Sequence, residues 1–399
     1  MPGRLAIFGH PPAFDTPLHV GRPNLPDKQA ILDRISGALE AGWLTNGGPL
    51  VAEFERRVAS EAGVKHCIAT CNGTAALELA VRALGLVGEV IVPAYTFVAT
   101  AHALAWHGLR PVFCDVDPAT HTLDPERVAK MIGPRTAAIL GVHLWGRCCY
   151  VAALAAIARG HGIPLLFDAA HAFGSTCHGN PIGGFGVCET FSFHATKFVH
   201  CGEGGAVTTN DDGLAERVRR LRDFGFSGGD RVTSLGINAK MSELSAAVGL
   251  TSLDNMATIV AVNRQNYDAY RRRLRPLAGL RLLSHEGPEK SNYQYVVVEV
   301  DAQTTGLSRD ELIAVLVAEN VLARRYFYPG CHRMEPYLSD AKTAATSLSV
   351  TERLADTVLA LPTGLQLDER GVTRITEILS DAIANADAIR SRLGRRHAA

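Results

Sequence analysis

The stretch Phe191-Ser192-Phe193-His194-Ala195-Thr196-Lys197 decides how this chain is read. It has the pattern of a short apolar strand that runs out into polar residues and ends on one lysine. In most proteins such a lysine is only a solvated strand end. It becomes a chemical group when a sheltered site holds its amine in place and partly deprotonated. The segments on either side tell the two apart.

Upstream, Leu165-Leu166-Phe167-Asp168-Ala169-Ala170-His171-Ala172 ends a buried strand on an acid, followed by small residues and a histidine. Alone, Asp168 reads equally well as a helix cap. Cys71-Asn72-Gly73-Thr74-Ala75-Ala76-Leu77 is a strand end, a tight turn at Gly73 and a helix that starts at Thr74. Free N–H groups at a helix start, with a hydroxyl, make an anion cradle; an ordinary Thr cap is the plainer alternative. No Gly-Lys-Ser/Thr follows, so this is not a nucleotide P-loop. Pro93-Ala94-Tyr95-Thr96-Phe97 sets an aromatic at a third strand end, where Tyr95 either stacks on a flat heteroaromatic ring or packs in the core. Ser192, two residues before His194, offers a hydroxyl to a phosphate. The run Gly202-Glu203-Gly204-Gly205 lets the backbone pass close to the lysine, and no helix follows it at the spacing of a dinucleotide fingerprint.

These parts together suit pyridoxal 5′-phosphate (PLP). Lys197 would carry it as a Schiff base. Asp168 would keep its pyridine nitrogen protonated so that the ring draws electrons. His171 either reaches the ring oxygen or packs.

The surrounding pattern fits a sheet that gathers strand ends. Strand-like runs at His66–Thr70, Glu89–Pro93, Pro111–Val116, Ala137–His143 and Ile163–Asp168 alternate with helical runs at Thr74–Leu84, Phe97–His107, Pro125–Met131 and Val151–His161. That alternation predicts a mostly parallel, doubly wound α/β sheet with right-handed crossovers, whose ligands sit beyond the carboxyl ends of the strands. Cys188–His194 and Gly205–Thr209 add two strands with little between them, so part of the sheet is expected to be antiparallel. A helical pattern from about Lys240 to Arg273, broken near Asn255, leads to a smaller C-terminal α+β domain. It holds a strand at Tyr293–Val300, a helix at Ser308–Asn320, a strand at Val321–Tyr326 and two further helices. The domains are set at 1–255, including a Pro-rich N-terminal arm over residues 1–26, and 256–399. The basic tail Gly394–Ala399 is expected to fray.

Composition narrows the partners. Lys+Arg 40 against Asp+Glu 40 leaves no field for nucleic acid or an anionic membrane. The longest apolar runs, such as Val151 to Ala158, are too short to span a bilayer, and the first residues carry Pro and Gly where a secretion signal needs an apolar run. Nine scattered cysteines without a CxxC pair suggest no metal site and fit reduced thiols in the cytoplasm.

Taken in order, the segments resemble the DegT/StrS-type sugar aminotransferases, which have the PLP type I (aspartate aminotransferase-like) fold. The likeness runs from Gly42-Trp43-Leu44-Thr45-Asn46-Gly47-Gly48-Pro49, through the segments above, to Gly236-Ile237-Asn238-Ala239-Lys240-Met241-Ser242-Glu243 and Tyr328-Pro329-Gly330-Cys331-His332. It implies that Lys197 holds PLP and moves the proton, that Asp168 pairs with the pyridine nitrogen and that Tyr95 stacks on the ring. Gly73, Thr74 and Ser192 would hold the phosphate, with Asn238 from the partner subunit of a homodimer. His171 stands where many members have Gln. Lys197 itself disfavours the branch with His there, which dehydrates sugars. The texture is similar to the 4-aminotransferases of dTDP-4-keto-6-deoxy-D-glucose, with L-glutamate as amino donor. His194, Arg231, Tyr326 and His332, with Arg333, are candidate contacts to the nucleotide sugar; solvation or packing serves the arginines and Tyr326 equally well. Amination at C3, another nucleotide, dehydration, or a catalytically idle PLP-fold sensor are the alternatives.

Overall fold

The computed structural model describes residues 5–285, 289–339 and 347–397. At its centre is a seven-stranded sheet. From one edge it runs His66–Thr70, Gly205–Thr209, Glu189–Ser192, Leu165–Asp168, Thr136–Val142, Glu89–Pro93 and Arg110–Cys114. Gly205–Thr209 is antiparallel to both its neighbours and the remaining pairings are parallel. This is the expected doubly wound sheet with its antiparallel insert. Its strands are buried almost throughout because helices cover both faces.

Local chemistry explains why the helices start where they do. Gly73–Leu84 begins one residue earlier than expected, because the cap is Asn72 and not Thr74: its side-chain oxygen accepts from Ala75 N at 2.8 Å. Gly85 ends that helix with φ 63°, a conformation that costs glycine nothing. Glu243–Asp254 and Met256–Leu274 break at Asn255, as expected, and are bent by 61°. Among the described residues no single helix is long and apolar enough to cross a membrane.

The C-terminal part carries a three-stranded antiparallel sheet, Leu280–Leu282, Val296–Val300 and Val358–Leu361, against helices Arg309–Ala318 and Glu369–Ala384. Five details differ from the sequence expectation. Only Val321–Leu322 is strand, and it pairs in parallel with Leu18–His19 of the arm, so Tyr326 sits in a loop beyond it. The arm is anchored: Leu5 and Ile7 are 2% exposed in the C-terminal core, while Met1–Arg4 lie outside the described residues. Val358–Leu361 is a strand inside a region read as helices. The tail continues as helix to His397; residues 398–399 lie outside the described residues. Helix Asp212–Arg222, for which the sequence reading had no element, completes the large layer, capped by Asp211 and burying Leu214, Val218 and Leu221.

Candidate active site

At the carboxyl edge of the parallel strands lies a cavity of about 490 Å³, within the roughly 300–1,000 Å³ of small-molecule sites. Its wall includes Gly73, Thr74, Asp168, His171, Ser192, His194, Lys197 and Tyr326. Eight of the candidate residues are thus brought together from four separate segments.

The chain reaches Lys197 through a tight turn, with Lys197 N donating to His194 O at 2.8 Å. Gln294 Oε1 then accepts from Phe198 N at 3.1 Å and fixes the segment from the other side. Phe193, fully buried, sits beneath against Phe54 and Phe173, ring centroids 5.2 Å apart in each case. The lysine is 9% exposed and donates to Tyr295 Oη at 3.2 Å. Burial brings its amine down from 10.5 to about 8, against the opposing pull of Tyr326 and Asp168. A value of about 8 leaves about a tenth of the amine neutral at pH 7, far more than for a free lysine, so that it can act as base or nucleophile.

Asp168 ends its strand 6% exposed. One carboxylate oxygen accepts from Ala170 N at 3.0 Å, the other from Thr100 Oγ1 at 2.8 Å. Burial raises its pKa, and the Ala170 amide, the Thr100 hydroxyl and the Lys197 charge counteract this. A carboxylate kept in so dry a place favours a cationic partner.

The anion cradle is steric as well as polar. A Cβ at Gly73 would lie 2.8 Å from Ser192 Cβ, and one at Gly205 would lie 2.4 Å from Asn72 O. Bare backbone is therefore required on both sides for the helix start, Ser192 and the returning strand to converge. The glycine run serves this crossing at Asn72-Gly73, and not passage beside the lysine. The helix brings its first amides and the Thr74 hydroxyl to the cavity wall, a suitable arrangement for phosphate.

Other candidates fall elsewhere. Tyr95 is a correction: it is fully buried, does not line the cavity, and donates to Tyr326 O at 2.5 Å from a cluster with His121, Trp145 and Phe327. Bends at residues 94–96 turn its ring inward and leave Phe97, 57% exposed, on the cavity wall. His194 stands at the rim, 3.6 Å from Glu203 and bonded to Thr196 Oγ1 at 2.8 Å. Arg231 is exposed on the 225–235 segment, outside the cavity of its own chain, and so is Asn238. His332 is buried 3.5 Å from Glu352, which Arg333 also pairs at 3.0 Å, and neither reaches the cavity wall.

The sequence reading missed Thr100, Tyr295, Phe97 and Arg324. For Phe97 and Arg324 the signal was an aromatic and a cation next to residues already singled out; for Thr100 and Tyr295 there was none, because each meets the site across the fold.

An amine held near neutrality at the carboxyl edge of a doubly wound sheet, facing a buried acid, defines a lysine-dependent α/β enzyme. The chain belongs to the DegT/DnrJ/EryC1/StrS aminotransferase family, whose profile matches residues 26–380. It is 37% identical to a dTDP-4-amino-4,6-dideoxy-D-glucose transaminase of Shigella dysenteriae, over 89% of this chain and 96% of that one. It is 34% identical to a GDP-perosamine synthase of Caulobacter vibrioides, over 88% and 95% of the two chains. Among solved structures, that of DesI in the presence of its TDP-sugar product superposes with a TM-score of 0.93 at 50% identity, covering 99% of each chain. The fold class and the aminotransferase activity expected from the sequence are thereby established, and PLP stands with them as the cofactor.

Proposed function

We propose that the enzyme transfers the amino group of L-glutamate to a nucleotide-linked keto sugar, dTDP-4-keto-6-deoxy-D-glucose. The products are dTDP-4-amino-4,6-dideoxy-D-glucose and 2-oxoglutarate. The observation that carries the reading is the buried Lys197 amine, lowered to about 8, on the wall of a cavity that also holds Asp168 and the Gly73–Ser192 cradle. The similarity to the Shigella transaminase and to DesI supports the sugar and the nucleotide.

The residues fit PLP. The glycine-limited cradle of Gly73, Thr74 and Ser192 would take its phosphate. Asp168 would pair with the pyridine nitrogen, for which the buried carboxylate supplies a fixed negative charge. Phe97 presents the aromatic face that Tyr95 does not, and His171, whose Nδ1 is buried with no partner among the described residues, would meet the ring oxygen. Bound there, PLP supplies an electron sink for the carbon that loses its proton. Lys197 in its neutral form takes that proton from glutamate and returns it on the other side of the exchange, then repeats the transfers in reverse for the sugar. Because one product leaves before the second substrate enters, ping-pong kinetics are expected.

Arg324 is the arginine lining the cavity among the described residues, and it would meet an anionic group of either substrate. The segment around Asn238 exposes Phe224, Leu235 and Ile237 at 47%, 78% and 44%. An apolar surface of that kind suits a homodimer in which Asn238, and Arg231 with it, serve the partner's cavity. Nine free cysteines suit the reducing cytoplasm.

The test is incubation with glutamate and a panel of dTDP-, UDP- and GDP-linked keto sugars, with products identified by NMR. Amination at C4 of the dTDP sugar is expected. Turnover of 3-keto sugars alone would overturn the assignment of the carbon, and preference for the GDP sugar would overturn that of the nucleotide.

A further inference from the structure

Tyr295 stands between the two groups that the site most needs to control. Its hydroxyl is 3.2 Å from Lys197 Nζ and 3.0 Å from His171 Nε2. All three side chains are at least nine-tenths buried, so bulk water does not decide who donates to whom. The segment that carries Tyr295 is tied to both neighbours. Gln294 Oε1 accepts from Phe198 N beside the lysine, and Asn292 Nδ2 donates to His171 O at 2.9 Å and to Phe173 O at 3.1 Å. Asn292 is itself held by Asn263 and by Gln294 N. The hydroxyl is therefore positioned by backbone contacts on each side.

One hydroxyl hydrogen has two possible destinations, and the choice propagates. Burial, with the Lys197 charge adding to it, pushes His171 well below its ordinary pKa, so the ring is neutral and one nitrogen carries the hydrogen. If Tyr295 donates to Lys197, it consumes the amine lone pair, and His171 Nε2–H must donate to Tyr295. The unpartnered Nδ1 is then a bare acceptor at a wall meant for an anionic ring oxygen. If Tyr295 donates to His171 Nε2, it accepts from Lys197, the lone pair stays free, and Nδ1–H becomes a donor. Only the second order leaves the amine able to take a proton and gives the buried Nδ1 a favourable partner.

We propose that Tyr295 is a positioning residue that holds His171 in its Nδ1–H tautomer and keeps the lone pair of Lys197 free. This rests on the PLP reading of the cavity. It also explains how a histidine does the work of a donor whose geometry is otherwise ambiguous. A carboxamide at position 171 has a fixed N–H donor and does not need the tyrosine for this purpose. Asp168 and Tyr326 also act on Lys197, and Arg324 on Tyr326, so His171 reports on Tyr295 more directly than the lysine does.

The first measurement uses the cofactor-free enzyme with ¹⁵N-labelled histidine, the His171 signals being assigned by their loss in His171→Gln. The wild-type ring is expected in the Nδ1–H form, and Tyr295→Phe is expected to shift it to a mixture or to Nε2–H. A wild-type ring in the Nε2–H form, or a tautomer unmoved by Tyr295→Phe, overturns the proposal. The second is a double-mutant cycle on PLP affinity. Tyr295→Phe should weaken affinity by roughly ten-fold or more, the loss of one charge-assisted hydrogen bond, and by much less in the His171→Gln background. Equal losses in both backgrounds overturn it as well. Failure of the wild-type enzyme to take up PLP would sink the cofactor reading instead, and the cofactor-free NMR result separates the two failures.

Discussion

Burying Lys197 carries a cost that a single substitution exposes. The fall of its amine from 10.5 to about 8 corresponds to about 3 kcal/mol at 1.36 kcal/mol per unit. Above pH 10.5 the amine is neutral in both the folded and unfolded chain, and burial adds no penalty. Between pH 10.5 and 8 the unfolded chain binds a proton that the folded one refuses, so stability falls as the pH is lowered. Below about pH 8 the whole penalty is present. Lys197→Met keeps the apolar stem and removes the charge. Loss of the hydrogen bond to Tyr295 offsets about 1 kcal/mol of the gain, which leaves a net stabilisation of about 2 kcal/mol at pH 7 for the cofactor-free protein. For a chain of 399 residues that is a rise of roughly 2–3 °C in melting temperature. Scanning calorimetry of both proteins without PLP, at matched concentration and at pH 7 and 10.5, makes the comparison. The variant should melt higher at pH 7, and the advantage should vanish at pH 10.5. Equal melting temperatures at pH 7, or an advantage that persists unchanged at pH 10.5, would refute the claim of a desolvated amine with a lowered pKa.

Further substitutions separate the other roles. Gly73→Ala forces a methyl against Ser192 and should abolish tight PLP binding, read by absorbance titration, with the fold retained by circular dichroism. Asp168→Asn removes the charge that keeps the pyridine protonated, and turnover should fall on the order of 10²–10³-fold, as for other preorganised electrostatic groups; steady-state kinetics measures it. Tyr95→Phe loses one hydrogen bond to Tyr326 O, so stability should drop about 1 kcal/mol while the bound cofactor's spectrum stays the same, whereas Phe97→Ala should weaken PLP binding. Phe193→Ala empties the aromatic cluster under Lys197 and should destabilise by about 3–5 kcal/mol, seen in chemical denaturation.

What the sequence disclosed followed from periodicity and from residues close together in the chain. All seven strands of the large sheet and the helices between residues 73 and 161 were legible, because fully buried strands read as apolar runs with turn residues at their ends. Asp168, Ser192 and Lys197 were visible because Asp168 and Ser192 end neighbouring strands of one sheet and Lys197 follows Ser192 by a tight turn. The Tyr95 expectation failed on local geometry: two aromatics two residues apart share a face only while the chain is extended, and bends at 94–96 separate them. Thr100 and Tyr295 reach Asp168 and Lys197 from a helix and from the C-terminal part, a pairing that no spacing encodes. Val358–Leu361 hid because four buried apolar residues directly follow the helix Ser349–Thr357, with no alternation to mark the change. Helix Asp212–Arg222 did carry a signal, Leu214, Val218 and Leu221 behind an Asp cap.

The central claim is that Lys197 is the residue that binds PLP and is released by the amino donor. Purified enzyme loaded with PLP and reduced with borohydride, then digested and mapped by mass spectrometry, tests it directly. A pyridoxyl group is expected on Lys197 alone, and prior incubation with L-glutamate should prevent its attachment. Label on another lysine, no label at all, or labelling indifferent to glutamate would contradict the account.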